Sequence, residues 1–287
     1  MGAHLDQIVA ATRRRVSESR RTADLRALER QAAKHVPRGF RRCLVEVGTH
    51  GPAVIAELKK ASPSKGLIRA KFDPEQLAGE LESAGAAALS VLTDEEFFQG
   101  SLANLKAASA ATGLPCLRKD FIVDEFQVLE ARAHRADAIL LIVAALSNEE
   151  LQTLARSARQ YQLDVLCEAH DADELQRALD AGCEVIGVNA RDLKTFAVDL
   201  ETLFRLAEKI PPDVVAVAES GIRSGSDITG LRSAGYRGFL IGETLMRAQR
   251  PGQALRALLA GASGAAIGSG DRVTGVTGER VAGKVVL

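Results

Sequence analysis

The stretch Ala53-Val54-Ile55-Ala56-Glu57-Leu58-Lys59 decides how the chain folds. It is apolar except for Glu57 until Lys59 closes it. A short run of this kind, lacking the polar and apolar alternation of a half-exposed strand, predicts a parallel strand buried on both faces. Both faces are covered only if helices pack on the sheet, so the reading asks for more such runs alternating with helical segments.

Similar runs recur near residues 87–92, 115–119, 137–143, 163–168, 184–188, 214–218 and 237–241, which with 53–58 make eight. The intervening segments carry helix punctuation. Ser147 with Glu150 and Asp171 with Glu174 have capping-box spacing, while Pro74 and Pro251 suit a first helical turn. Ser83-Ala84-Gly85, Asp180-Ala181-Gly182 and Ser233-Ala234-Gly235 each put glycine where a left-handed C-cap precedes the next strand. The pattern predicts an α/β fold, a (β/α)8 TIM barrel, although the number of strands alone leaves a doubly wound sheet open.

Two segments lie outside the repeats. Residues 5–34 carry Leu5, Ile8, Val9, Thr12 and Val16 at helical spacing among many charged residues, which predicts an amphipathic N-terminal helical extension. Residues 1–260 are expected to form a single barrel domain that includes this extension (1–50). Residues 261–287, dominated by Gly, Ala, Ser and Thr, are expected to be a flexible tail.

Composition narrows the function. The chain has 287 residues, is 46% hydrophobic, and balances 37 Lys and Arg against 37 Asp and Glu. Zero net charge gives no electrostatic reason to expect nucleic acid or an anionic membrane as partner, though a small anion can still bind locally. No apolar stretch is long enough to span a bilayer, and Met1-Gly2-Ala3-His4-Leu5-Asp6 has neither the basic start nor the apolar block of a signal peptide. Cys43, Cys116, Cys167 and Cys183 lack the close spacing of zinc sites or redox dithiols. Cys116 and Cys167 sit in apolar runs and read as reduced, small hydrophobes. A monomer in the cytoplasm is expected.

Charge placement points to a site. Parallel strands should be apolar, and barrel enzymes build their sites at the strands' C-terminal ends. Glu57 and Lys59 close the first strand, Lys119 the third, Glu168 and His170 the fifth, Asn189 and Arg191 the sixth, and Glu219 the seventh. The i,i+2 pairs Glu57/Lys59, Glu168/His170 and Asn189/Arg191 each share a face. Any single pair is better read as a solvated strand end or a structural ion pair than as a site. Together they form one mixed-charge cluster able to tune a lysine or carboxylate for proton transfer. His170, leading into the helix cap at Asp171, reads as a structural or rim histidine. Glu219-Ser220-Gly221-Ile222 and Ile241-Gly242-Glu243 follow the seventh and eighth strands, where barrels commonly bind phosphate through backbone N–H groups. Ser62-Pro63-Ser64-Lys65-Gly66 could add donors, and its composition also describes a plain mobile loop.

The segment Ile55-Ala56-Glu57-Leu58-Lys59-Lys60-Ala61-Ser62-Pro63-Ser64-Lys65-Gly66 closely resembles the signature of the indole-3-glycerol-phosphate synthases. The resemblance continues through Ser90-Val91-Leu92-Thr93-Asp94, Phe97-Phe98-Gln99-Gly100-Ser101, Leu117-Arg118-Lys119-Asp120-Phe121-Ile122, Gly187 to Phe196 and Ala218 to Ile222, and covers residues 5–260. It implies a phosphorylated substrate, 1-(2-carboxyphenylamino)-1-deoxyribulose 5-phosphate, whose aryl carbon attacks the ribulose carbonyl before carbon dioxide and water are lost. It implies no metal and no cofactor. By motif position, Lys119 would protonate the carbonyl oxygen and Glu168 would assist dehydration. Glu57 and Lys59 would polarise and orient the reacting groups, with Lys59 meeting the substrate carboxylate. Asn189 and Glu219 would hold sugar hydroxyls or supporting side chains. Ser62, Ser220, Gly221, Gly242 and Glu243 would surround the phosphate, with Arg191 nearby. Phe98, Phe121, Leu140 and Leu193 would flank the aromatic ring, although Leu140 serves as well as core filler.

Departures from the family pattern are few: Ala190, Ala169 and Arg135 replace more usual Asn, Val and Gly, and none removes a proposed catalytic group. A rival barrel enzyme, phosphoribosylanthranilate isomerase, would need a cysteine at the first strand's end, which this chain lacks. A catalytically dead barrel serving as a binding subunit is disfavoured by the joint presence of Glu57, Lys59, Lys119 and Glu168.

Overall fold

The apolar runs become eight strands in the computed structural model, which describes residues 3–193 and 195–264. They are β1 (Ala53–Leu58), β2 (Ala88–Leu92), β3 (Cys116–Lys119) and β4 (Ala138–Ile142), then β5 (Asp164–Ala169), β6 (Val185–Asn189), β7 (Val215–Glu219) and β8 (Gly238–Ile241). Each pairs in parallel with its sequence neighbours, and β1 also pairs with β8 (Ala53 opposite Gly238), so the sheet closes on itself. A doubly wound sheet is thereby excluded, and the TIM barrel stands.

Twelve helices are described. Three precede the barrel, α1 (Ala3–Thr22), α2 (Leu25–Ala32) and α3 (Phe40–His50). The others are α4 (Pro74–Ser83), α5 (Leu102–Ala110), α6 (Glu125–Ala133), α7 (Asn148–Gln160), α8 (Ala172–Asp180), α9 (Glu201–Ala207), α10 (Gly225–Ser233), α11 (Glu243–Arg247) and α12 (Pro251–Gly264). Among the described residues, no helix is long and apolar enough to cross a membrane.

The expected punctuation is present. Ser147 and Glu150 form a reciprocal capping box on α7, and Gly85, Gly182 and Gly235 take φ of 98°, 72° and 107°. Asp171 caps α8 by accepting from the Glu174 N–H, but the Glu174 carboxylate does not reciprocate; it accepts from the His170 N–H at 2.8 Å instead.

Side-chain alternation divides the core into two layers. Val54, Ala56, Leu58, Leu89 and Val91 face outward against the helices. Ala53, Ile55, Leu117, Leu140, Leu166, Val185, Val217 and Leu240 fill the barrel, with Phe40 and Leu44 of α3 in the same cluster at its lower end. That lower end is fastened by Asp137, which accepts from the Cys116 N–H (2.7 Å), the Arg38 backbone N–H (2.7 Å) and Arg38 Nε (3.0 Å), and meets His35 Nε2 (3.1 Å).

Three expectations change. Cys167, read as reduced, is joined to Cys183 by a disulfide, while Cys43 and Cys116 are free. Sequence spacing hid the pair because α8 intervenes, and the fold returns its end beside the strand it left, with the Cα atoms 6.4 Å apart. The segment after β1 is not a plain loop: Ala61–Ser62 and Gly66–Leu67 pair as a small antiparallel hairpin. Residues 261–264, assigned to the tail, belong to α12; the rest of the proposed tail lies outside the described residues.

Candidate active site

Inward alternation continued one step past the apolar layer puts polar groups at the top of the barrel. Ile55 is followed inward by Glu57, Leu117 by Lys119, Leu166 by Glu168, and Val217 by Glu219. A cavity of about 800 Å³ opens there. Glu57, Lys59, Lys119, Glu168, Asn189 and Glu219 line it. So do Ser62, Phe98, Phe121, Leu140, Arg191, Leu193, Ser220, Gly221, Gly242 and Glu243, so every residue given a catalytic or binding role from the sequence reaches this one space.

Lys119 is the hub. Its Nζ lies 2.6 Å from Glu168 Oε2 and 3.5 Å from Glu219 Oε2. Across the cavity Lys59 Nζ meets Glu57 Oε1 at 2.6 Å. Burial opposes the Lys119 ammonium, but Glu168, Glu219 and Glu57 outweigh it and raise its pKa, so it stays protonated. The two glutamates beside it differ. Burial also opposes charge on Glu168, yet Lys119 and His170 hold it below the usual carboxylate range, and Asn189 Nδ2 donates to its Oε1 at 3.1 Å. Glu219 is pushed above that range by burial, reinforced by the charges of Glu168 and Glu57, and its buried Oε1 has no hydrogen-bond partner. A protonated lysine, an ionised carboxylate and a carboxyl disposed to keep its proton thus share one pocket, the division of roles that acid–base chemistry needs.

The rim supplies an apolar slot and a polar loop cluster. The Phe98 and Phe121 rings sit 6.3 Å apart and tilted by 42°, with Leu140 and Leu193 also on the wall. Ser220 and Gly221 both have positive φ, 67° and 80°. For a serine that backbone is uncommon and costs energy, and such strain gathers at binding loops. Arg191 Nη2 approaches Glu243 Oε2 at 3.7 Å, and Glu243 also pairs with Arg247 at 2.9 Å. Lys65, Arg223 and Arg247 line the same region.

Several contributors were missed. Arg15 of α1 reaches Asp94 (3.2 Å) and Asp120 (3.5 Å), whose side chains are buried. Asp120 also accepts from Thr93 Oγ1 (2.6 Å) and Arg118 Nη2 (3.0 Å), and Arg118 pairs with Glu130 at 2.8 Å. Asp120 directly follows Lys119, so a charge just past a strand end was the available signal; Arg15 had none, because its partners are distant in sequence. Leu5 and Ile8 of α1 were not missed: they belong to the apolar stripe read from the sequence, and they line the cavity. His170 does not, but its Nε2 lies 3.3 Å from Glu168 Oε1.

Comparison with known proteins agrees with this geometry. The sequence model of the family described as indole-3-glycerol phosphate synthase matches residues 5–258. The chain is 58% identical over 259 residues to a protein of Koribacter versatilis bearing that name, spanning 90% of this chain and 100% of that protein. It is 49% identical over 256 residues to a protein of the same name from Acidithiobacillus ferrooxidans, spanning 88% of this chain and 97% of the relative. Among solved structures, 3-hexulose-6-phosphate synthase superposes with a TM-score of 0.59 at 15% identity, covering 73% of this chain and 99% of that one, a likeness of fold alone.

Proposed function

The chain belongs to the indole-3-glycerol phosphate synthase family, and from that premise we propose how the side chains of its cavity divide the work of this decarboxylating, ring-closing lyase of tryptophan biosynthesis. The substrate is a phosphorylated small molecule, 1-(2-carboxyphenylamino)-1-deoxyribulose 5-phosphate. The aryl carbon bearing the carboxylate bonds to the ribulose carbonyl carbon, and the carbonyl oxygen takes a proton from Lys119. The bond to the carboxylate then breaks, its electrons restore the aromatic ring, and carbon dioxide leaves. Loss of water follows: Lys119, recharged from solvent, gives a second proton to the new hydroxyl, which leaves as water, while the neighbouring carbon gives up its own proton to Glu168.

The observation that carries this reading is the placement of Lys119 Nζ between Glu168 (2.6 Å) and Glu219 (3.5 Å). The lysine stays charged until it delivers a proton, and Glu168 stays ionised to receive one. Lys59, paired with Glu57, meets the substrate carboxylate and orients it for departure. Phe98, Phe121, Leu140 and Leu193 hold the aromatic ring. The phosphate rests on Ser220, Gly221, Gly242 and Glu243 with Ser62, and Arg191 adds positive charge. Asn189 fixes Glu168, and Glu219 holds a sugar hydroxyl. The barrel with its N-terminal extension, through the end of α12 at Gly264, acts as one domain, a monomer in the cytoplasm.

Removing the base should separate the steps. In Glu168→Gln, a single turnover quenched and resolved by mass should show the ring-closed, decarboxylated species that still holds its hydroxyl. Indole-3-glycerol phosphate formed at the wild-type rate would remove Glu168 from the dehydration.

A further inference from the structure

Behind Glu168, outside the cavity wall, stands an imidazole clamped between two carboxylates. His170 Nδ1 lies 2.9 Å from Glu174 Oε2, and His170 Nε2 lies 3.3 Å from Glu168 Oε1 as a charge contact. The His170 side chain is largely buried. The Glu174 carboxylate, which a capping box would aim at the Asp171 N–H, instead grips His170 twice, at the ring and at the backbone N–H (2.8 Å).

We propose that the Glu174–His170 pair is a positioning device that assigns the negative charge of the lysine-linked glutamates to Glu168 rather than to Glu219. The proposal rests on the reading of Glu168 as the dehydration base. Glu168 and Glu219 both contact Lys119, so one ammonium faces two carboxylates and cannot stabilise both equally. What separates them is their other neighbours. Glu168 has Asn189 Nδ2 and the His170 ring on Oε1, which leaves Oε2 for Lys119. Glu219 Oε1 has no hydrogen-bond donor, and besides Lys119 the near neighbour of the Glu219 carboxyl is Glu168 itself. Two carboxyls sharing a site resolve into one charged and one neutral form, and the environment chooses which.

The charge state of His170 agrees. Burial opposes its ionisation, but Glu168 and Glu174 outweigh burial and push it up to about 10, so the ring is an imidazolium across the neutral range. Glu174 is the outer counter-ion that keeps a buried cation compensated. The charged groups facing Glu168 are therefore Lys119 from β3, His170 beyond the end of β5 and the Glu219 carboxyl of β7, with Glu57 of β1 acting on Lys119 and Glu219.

The sign of the test follows. Without the imidazolium the Glu168 carboxylate is harder to form, so its proton is lost only at higher pH, and kcat should fall on acidification from a higher pH than in the wild type. His170→Gln keeps a side chain of similar reach without the charge. Its acidic limb of kcat against pH should move up by about 1–3 units, with recovery at high pH and little change in KM, since His170 does not line the cavity. Glu174→Gln, which preserves an acceptor for the His170 N–H, should move the same limb in the same direction by less, and decides the matter if His170→Gln does not fold. A uniform loss of kcat at every pH, or a rise in KM with the limb unmoved, in the folded variants would overturn the proposal. Glu168→Gln run alongside separates the two levels: if it dehydrates normally the underlying reading fails, and if it does not while the limb stays still, only the role of His170 fails.

Discussion

A methyl group added at Gly242 would put its carbon 2.3 Å from Glu57 Oε1, and one added at Gly187 would meet Glu219 Oε1 at 2.0 Å. Neither approach is sterically possible, so both glycines are bare because a carboxylate of the site occupies the space. From the sequence, Gly242 is a phosphate-loop glycine whose replacement by valine raises KM. The geometry adds a second effect, because the Glu57 carboxylate must move. Gly242→Val should therefore lower kcat by about 10²-fold as well as raise KM, the loss that an ångström of misplacement produces; steady-state kinetics with kcat unchanged would confine Gly242 to the phosphate. At this scale the sequence was legible wherever alternation governs: Glu57, Lys119, Glu168 and Glu219 follow from two-residue periodicity above an apolar layer. It was silent on Glu174 turning to His170 and on Cys167 meeting Cys183, because those contacts depend on how a helix returns to the sheet.

The N-terminal helix shows what an element adds to a barrel complete without it. The stripe of Leu5, Ile8, Val9, Thr12 and Val16 reads from the sequence as a surface that covers the mouth of the barrel; Leu5 and Ile8 do line the cavity, Ile8, Thr12 and Val16 are buried, and Val9 is half-buried against the outer core layer. The fastening was not legible, since Arg15 is one of many arginines in α1 and its partners Asp94 and Asp120 come from the loops after β2 and β3. Arg13 with Glu150 and Arg20 with Asp124 add exposed pairs along the same helix. If Arg15 latches α1 over the bound ring, Arg15→Ala should raise KM by up to about fivefold, the factor given by the ~1 kcal/mol of a partly exposed ion pair. Added salt should raise the wild-type KM more than that of the variant. Identical KM values at low and high salt would show that α1 stays in place without the latch.

Across the whole molecule, chemistry and stability occupy opposite ends of the barrel, as parallel strands with one catalytic face allow. Asp137 gathers Arg38, His35 and the Cys116 N–H at the lower end, far from the cavity lining. Burial opposes its charge, but His35 and Arg38 hold its pKa below the ordinary value. A depressed carboxylate stabilises the fold above its unfolded pKa of about 4, and that contribution disappears as pH falls through the folded value. Asp137→Asn should cost about 3–5 kcal/mol of unfolding free energy at neutral pH, read from urea titration, while turnover per folded molecule stays near wild type; equal stability would remove Asp137 as a fastening. At the other terminus Thr229 Oγ1 donates to Ala262 O and Gly225 packs closely on Gly261, so a truncation meant to spare the barrel belongs after Gly264. Cut there, the chain should keep its melting temperature and turnover, and a marked drop in either would give residues 265–287 a structural role. The central claim, that Lys119 among its glutamates is the proton donor of a decarboxylating ring closure, is tested most directly by following indole-3-glycerol phosphate fluorescence with the authentic substrate for wild type and Lys119→Ala. The account predicts turnover by the wild type and a loss of about 10²–10⁴-fold in kcat for the folded variant; no product from the wild type, or turnover in Lys119→Ala near the wild-type rate, would contradict it.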